Sequence, residues 1–108
     1  MTCPRCHKTP EEHEAGRETD ACIAKVVMGY EEPFGDAWLR HYSTRIADAD
    51  DIMKKWENEG RLYYLRRSGK KFKIYLGKPN EIDAVYSAEG DTKEIAICRA
   101  ALMASKEE

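Results

Sequence analysis

The stretch LYYLRRSGKKFKIYL, residues 62–76, decides the fold. Two aromatic and aliphatic runs, Leu62 to Leu65 and Phe72 to Leu76, flank the turn-forming pair Ser68-Gly69. The second run alternates with the two-residue period of a strand that buries one face. The stretch therefore predicts a β-hairpin closed by a turn of several residues.

A third strand and a helix are predicted downstream of the hairpin. A turn at Lys78-Pro79-Asn80 leads into a candidate strand, Ile82 to Tyr86. Asp91, with Glu94 three residues on, forms a candidate capping box for a helix from about Thr92 to Ala104. The positions expected to face inward on this helix are Ile95, Cys98, Ala101 and Leu102.

A first helix is predicted upstream, from Gly16 to a left-handed cap at Gly29. Its apolar residues Ile23, Val26 and Val27 repeat at helical spacing.

The next segment, residues 30–41, is predicted to be a loop with a short strand entering Tyr42, because it carries Pro33, Gly35 and isolated aromatics such as Trp38.

A second helix follows, with Ser43 or Thr44 as its candidate N-cap and its end near Glu59-Gly60. Its acidic run, Asp48 to Asp51, is typical of a favourably charged helix start. The apolar face of this helix is predicted to contain Ile46, Ala49, Ile52, Met53 and Trp56.

The order helix, helix, three antiparallel strands, helix predicts an α+β fold. Three amphipathic helices can cover both faces of a small sheet, which favours an α/β/α three-layer sandwich. Residues 1–15 show no periodicity and are interpreted as a Cys/His arm. Residues 16–108 are interpreted as a single domain, since 108 residues suffice for one core.

Three stretches resemble the phage ABA sandwich family of small phage and prophage proteins. They are AGRETDACIAKVVMGY at residues 15–30, YST at residues 42–44 and EGDTKEIAICRAAL at residues 89–102. The resemblance implies a phage protein in which helices sandwich an antiparallel sheet. It does not imply a biochemical function, because one fold hosts many functions.

Composition limits the choice of partners and compartment. Eighteen Lys and Arg against twenty Asp and Glu give a formal net charge of -2, which disfavours a nucleic-acid polymer as the main partner. No apolar run approaches the length of a membrane span, so a cytoplasmic protein of the infected bacterial host is expected. In that compartment cysteines are typically thiols or metal ligands.

A candidate metal site opens the chain. Cys3 and Cys6, two residues apart, can both bind one tetrahedral Zn²⁺. His7 or His13 adds a third ligand, and the other histidine or Cys22 adds a fourth. The alternative interpretations are a metal-free terminus with free thiols and, less favoured, redox chemistry. If zinc binds, it is expected to be structural and to pin the arm.

A candidate ligand surface lies on the hairpin, where cations alternate with aromatics. Cations pair with phosphates and aromatic faces stack on bases, so this pattern suits a nucleotide. The competing interpretation is that the charges only keep an edge strand soluble. The six cations are Arg61, Arg66, Arg67, Lys70, Lys71 and Lys73, and the aromatics include Tyr64 and Tyr75.

Two further positions are candidate anion contacts. Tyr42, Ser43 and Thr44 precede the second helix, whose free N–H groups favour phosphate, although capping is the simpler role. Arg99 lies in an otherwise apolar helix, where it either pairs with a buried acid or binds a ligand phosphate.

No catalytic motif emerges, so the sequence favours a binding protein over an enzyme. From the phage resemblance, the leading hypothesis is an anti-defence protein that sequesters a nucleotide immune messenger, a cyclic oligonucleotide or a cyclic ADP-ribose type signal, as a homo-oligomer. One alternative is an adaptor that blocks a host factor with a zinc-pinned arm. The other is a small enzyme that degrades such a messenger.

Overall fold

The computed structural model describes residues 2–32, 34–35 and 39–107 and confirms the α+β class. Pro33 and Trp38, used above as loop markers, lie outside the described residues. The regular elements are α1 (Arg17–Cys22), a π-helical segment (Ile23–Val27), α2 (Ile46–Asn58), β1 (Tyr63–Ser68), β2 (Lys71–Gly77), β3 (Ala84–Gly90) and α3 (Lys93–Glu107). A short 3-10 turn, Pro10–Glu12, precedes α1.

The sheet is antiparallel with the strand order β1-β2-β3. Its register places Leu65 opposite Ile74 and Ile74 opposite Ala88, so these side chains share one face. Ile74 is completely buried and Ala88 nearly so. This is the inner face of the sheet, as the alternating pattern predicted.

Helix α3 lies at the centre of the molecule. It packs on β2 and β3 with one side and against α2 and the π-helical segment with the other. Ala96, Ile97 and Ala100 are therefore completely buried. In the described part of the chain the helices stack in layers on the inner face of the sheet, which gives the predicted α+β fold its layered arrangement. A helix with apolar residues on several sides can itself form the middle layer of a fold. This explains why α3 lies between the sheet and the other helices.

The helix starts differ from the predicted ones. Arg45, not Ser43 or Thr44, is the N-cap residue of α2. Ile46 is about half exposed, although the pattern placed it on the buried face, because it occupies the first position of the helix. Thr92, not Asp91, caps α3: its side-chain oxygen accepts a hydrogen bond from the Ile95 N–H at 3.2 Å.

The first helix runs through the predicted region but changes its winding after one and a half turns. α1 ends at Cys22, and the next residues form the π-helical segment, with the Met28 N–H bonded to the Ile23 oxygen at 3.0 Å. Gly29 then takes a positive φ of 77°, as expected of a left-handed cap.

Candidate metal centre

The turn at the start of the arm places the thiols of Cys3 and Cys6 close together. The Cys3 N–H donates to the Lys8 oxygen at 2.7 Å, and the His7 N–H donates to the Cys3 oxygen at 2.8 Å. The chain reverses at His7, whose φ is 64°, a value uncommon for a residue with a side chain. The turn is thus closed by backbone bonds, which keeps the two thiols on the same side.

His13 is the third member of the group and its ring is fixed. The side chain is 1% exposed, and Nδ1 lies 2.9 Å from the Thr9 backbone oxygen. Since a carbonyl only accepts, Nδ1 carries the proton and Nε2 is left with its lone pair. Nε2 faces the Cys6 Sγ at 3.1 Å. A backbone partner that fixes the tautomer in this way is typical of metal-binding histidines.

Cys22, the last residue of α1, completes the group from the domain side. It is fully buried, and the Arg5 guanidinium lies 3.6 Å from its sulfur. Arg5 also pairs with Glu32 at 3.0 Å. Local π-winding is frequent at functional positions in helices, and here it starts at the residue after Cys22.

The ligand atoms of Cys3, Cys6, His13 and Cys22 all lie within 4.8 Å of one another. Three sulfurs and one imidazole nitrogen form the donor set of a tetrahedral structural zinc site. Zn²⁺ with three thiolates leaves one net negative charge, which the neighbouring Arg5 guanidinium offsets. The residues present therefore fit zinc in number, type and surroundings.

The thiols differ in acidity before any metal binds. Burial raises the pKa of Cys3, but hydrogen bonds from the backbone N–H groups of Cys6 and Arg5 lower it more, so its net pKa is below the usual value. Burial raises the pKa of Cys22 to about 12. Because a divalent ion displaces protons from its thiol ligands, metal binding at this group would release protons.

The sequence predicted Cys3, Cys6 and His13 in this group, and it offered Cys22 as the alternative to the second histidine. The structure groups Cys22 with them, while His7 is exposed and serves the turn through its backbone. Periodicity placed Ile23, Val26 and Val27 on one face of the first helix but said nothing about Cys22. What it lacked was the path of the arm, which brings Cys3 back onto α1.

Cys98 is separate from the group and belongs to the core. It is fully buried in α3, and burial raises the pKa of its thiol well above the usual value. Cys98 therefore contributes to the packing of the core, as buried free thiols usually do.

The predicted ligand surface occupies the outer face of the sheet. Tyr64 and Tyr75 are directly opposite, with ring centroids 6.4 Å apart and stacked, and Tyr64 is 62% exposed. The next cross-strand row contains Arg66 and Lys73. Lys73 Nζ lies 5.3 Å from the centre of the Tyr75 ring. We call the side chains of Tyr64, Arg66, Lys71, Lys73 and Tyr75 the outer face.

Three of the six hairpin cations lie elsewhere, and one of them, Lys70, is in the exposed turn between β1 and β2. Arg67 is exposed at the hairpin end, where it donates to the Gly69 oxygen at 3.1 Å. The prediction that Arg61 belongs to the exposed cations of the hairpin is wrong, because this residue is only 6% exposed and its side chain is bound inside the molecule. It donates to the Glu59 carboxylate at 2.8 Å and to the Gly77 oxygen at 2.9 Å.

The segment Tyr42 to Thr44 forms a buried junction. Ser43 is 1% exposed, and both its N–H and its hydroxyl donate to the buried Asp20 carboxylate, at 2.9 and 2.6 Å. Arg17 pairs with the same carboxylate at 3.0 Å. Tyr42 is 1% exposed, whereas Thr44 is exposed. The predicted anion contact is thus occupied by a protein carboxylate, which ties α1 to the segment before α2.

Arg99 joins three parts of the fold. Its Nε donates to the His13 oxygen at 2.9 Å and its Nη1 to the Glu89 oxygen at 2.8 Å. Its Nη2 lies 3.4 Å from the Glu14 carboxylate. The acid that Arg99 pairs with is the exposed Glu14, not a buried acid as weighed from the sequence, and the same side chain lines an open cleft of about 360 Å³.

Comparison with known proteins gives one likeness in fold. No protein-family model matches the chain, and no curated protein is significantly similar to it. A phage protein from Bacillus cereus ATCC 14579, known from a crystal structure, shares 21% identity with a TM-score of 0.60 over 84% of this chain and 92% of that one. At this identity the chain shares the fold of a phage protein, and the likeness extends no further.

Proposed function

We propose that the protein is a zinc-stabilised binding protein without catalytic activity, in which one structural Zn²⁺ pins the arm to the domain. The observation that carries this is the convergence of Cys3, Cys6, His13 and Cys22 ligand atoms within 4.8 Å. Four protein ligands fill a tetrahedral ion, whereas a catalytic zinc keeps one position for water or substrate. The donor set therefore favours a structural role.

Metal content and ligand exchange test the zinc proposal. The purified protein should carry one zinc per chain, and replacement by Co²⁺ should give the absorption of a tetrahedral thiolate site. Cys22→Ser should lose the metal, whereas Cys98→Ala and His7→Ala, which alter a thiol and a histidine outside the group, should keep it. Metal loss in all three variants, or no metal in the parent protein, contradicts the proposal.

The ligand of this binding protein is, in our proposal, a nucleotide immune messenger that it sequesters. The stacked pair Tyr64 and Tyr75 offers an aromatic platform for a base, and Arg66 and Lys73 in the next row offer cations for phosphate. The anti-defence role comes from the sequence resemblance to phage proteins. Because the face is open, a homo-oligomer would enclose the ligand better than one copy.

A panel of cyclic dinucleotides, cyclic trinucleotides and cyclised ADP-ribose tests this ligand class. The mixture is filtered, the retained protein is denatured by heat, and the released material is identified by mass spectrometry. Intact ligand in proportion to protein supports sequestration, and altered ligand favours the enzyme instead. If nothing binds, the adaptor alternative is favoured, with the zinc-pinned arm as its contact surface.

A further inference from the structure

We infer that the metal centre positions Arg99 to complete a phosphate-binding cleft beside the outer face, so that nucleotide binding depends on the metal. This deepens the nucleotide proposal and rests on it. The cleft has a volume of about 360 Å³ and lies where the arm meets the sheet. The side chains that line it and enter the argument are Glu11, Lys71, Lys73, Ser87, Glu89 and Arg99.

Arg99 is held in the cleft by the residue that would bind the metal. Its Nε donates to the backbone oxygen of His13, and its Nη1 donates to the backbone oxygen of Glu89 in β3. The side chain is only 15% exposed, so these contacts fix its direction. A guanidinium has five N–H donors, and the contacts to His13, Glu89 and Glu14 leave donors for a ligand.

The metal group also fixes the wall opposite the sheet. The His13 ring donates to the Thr9 oxygen, and Thr9 is the N-cap residue of the Pro10–Glu12 turn. Glu12 closes this turn by accepting from the Thr9 N–H and hydroxyl, both at 2.9 Å. Glu11 of the same turn lines the cleft. Release of His13 would therefore loosen both Arg99 and this wall.

The chemistry of the cleft suits one phosphate with a sugar beside it. Lys71, Lys73 and Arg99 supply three cations for a phosphate dianion. Glu11 and Glu89 are carboxylates, which accept hydrogen bonds from sugar hydroxyl groups, and the Glu89 carboxylate also lies 4.0 Å from the Lys73 ammonium. Lys73 also lies over the Tyr75 ring, so the phosphate site continues directly into the aromatic platform. A nucleoside monophosphate unit, with its phosphate, sugar and base, matches this spatial arrangement of cations, carboxylates and aromatic ring.

Binding of AMP to the zinc-loaded protein is the first test, with adenosine and inorganic phosphate as the partial probes. AMP should bind more tightly than either. Lys71→Ala and Lys73→Ala should each weaken AMP binding at least tenfold, since each removes a charge-assisted contact. Arg67→Ala removes a neighbouring cation outside the cleft and should leave the affinity unchanged. No binding of AMP or phosphate at millimolar concentration overturns the cleft, whereas the nucleotide proposal is decided by the panel of cyclic nucleotides.

The dependence on metal is tested by linkage, which does not require AMP binding to be measured on the metal-free protein. If zinc strengthens AMP binding, AMP must strengthen zinc binding by the same factor. Zinc affinity is measured against a chelator with and without AMP. Arg99→Lys keeps the positive charge but loses the planar guanidinium with its several N–H donors. This variant should therefore retain zinc, bind AMP more weakly and show no effect of AMP on the zinc affinity. An equal zinc affinity with and without AMP overturns this inference while leaving the nucleotide proposal intact.

Discussion

At the scale of single residues, the close approach of β3 to α3 depends on Gly90. A Cβ at this position would lie 2.3 Å from the Ile95 side chain and 2.8 Å from the Ala96 backbone nitrogen. Such distances require the strand and the helix to separate. Gly90 is therefore the residue that permits the turn between the last strand and the central helix.

We expect Gly90→Ala to lower the free energy of unfolding by about 1 to 3 kcal/mol, the usual cost of overpacking. Ser87→Ala, at an exposed position of the same strand, is the matched control and should change little. Urea unfolding of the two variants measures the difference. Equal stability of both would mean that β3 and α3 can separate without cost.

Glu59 gives the molecule a pH-dependent contact. Burial raises the pKa of this carboxyl, but hydrogen bonds from Lys55 and Arg61 lower it more, so its net pKa is below the usual value. A depressed carboxyl pKa adds stability above the unfolded value of about 4.3, and that stability is lost as the pH falls through the folded pKa. Because Glu59 is partly exposed, solvent screening limits the contribution to about 1 kcal/mol.

We expect Glu59→Gln to be less stable than the parent protein at pH 7 and to approach it below about pH 4. Comparing the two proteins at each pH cancels effects that they share. Glu81→Gln, at an exposed site, serves as the control and should follow the parent throughout. A constant difference in stability across the pH range would show that Glu59 does not stabilise the fold through its charge.

At the scale of elements, the pattern predicted three helical regions and the three strands of the sheet correctly, but it placed several of their ends wrongly. The short strand predicted to enter Tyr42 is wrong, because the described residues 39–45 contain no strand. β1 continues to Ser68 and β3 to Gly90, beyond the apolar runs that predicted them. The reason is that pairing with β2 supplies backbone hydrogen bonds even where side chains are polar, and residue patterns do not record those bonds.

The start of α3 separates two capping schemes that the sequence alone allows. Thr92→Ala should cost about 1 kcal/mol, because it removes the oxygen that accepts from the Ile95 N–H. Asp91→Ala, which tests the capping box expected from the sequence, should cost less. Thermal unfolding of both variants measures this order, and the reverse order would restore Asp91 as the cap.

At the scale of the whole molecule, the arm is part of the structure rather than an appendage. Cys3 is 1% exposed and belongs to the buried cluster that includes Cys22 and Ile23. The sequence predicted an arm with metal ligands but not its docking, because a segment without periodicity gives no signal about what it packs against. Among the described residues, no helix is both long and apolar enough to cross a membrane.

Removal of the zinc proposed for this group should therefore affect the entire fold. We expect a strong chelator to lower the Tm by about 10 °C or more, since structural zinc contributes several kcal/mol that small domains cannot replace. Added zinc should restore the parent Tm, whereas added magnesium, which prefers oxygen ligands, should not. An unchanged Tm with the metal removed would mean that the arm docks by apolar contacts alone.

The central place of α3 has a consequence for how the chain acquires its structure during synthesis. α3 is made after the other elements, yet both the sheet and the other helices pack against it. The earlier strands and helices therefore leave the ribosome without their common partner. The four candidate metal ligands, by contrast, lie within residues 3–22 and emerge before the strands and α3. A nascent chain with a metal ion bound at this group would thus have the arm attached to α1 before α3 completes the core.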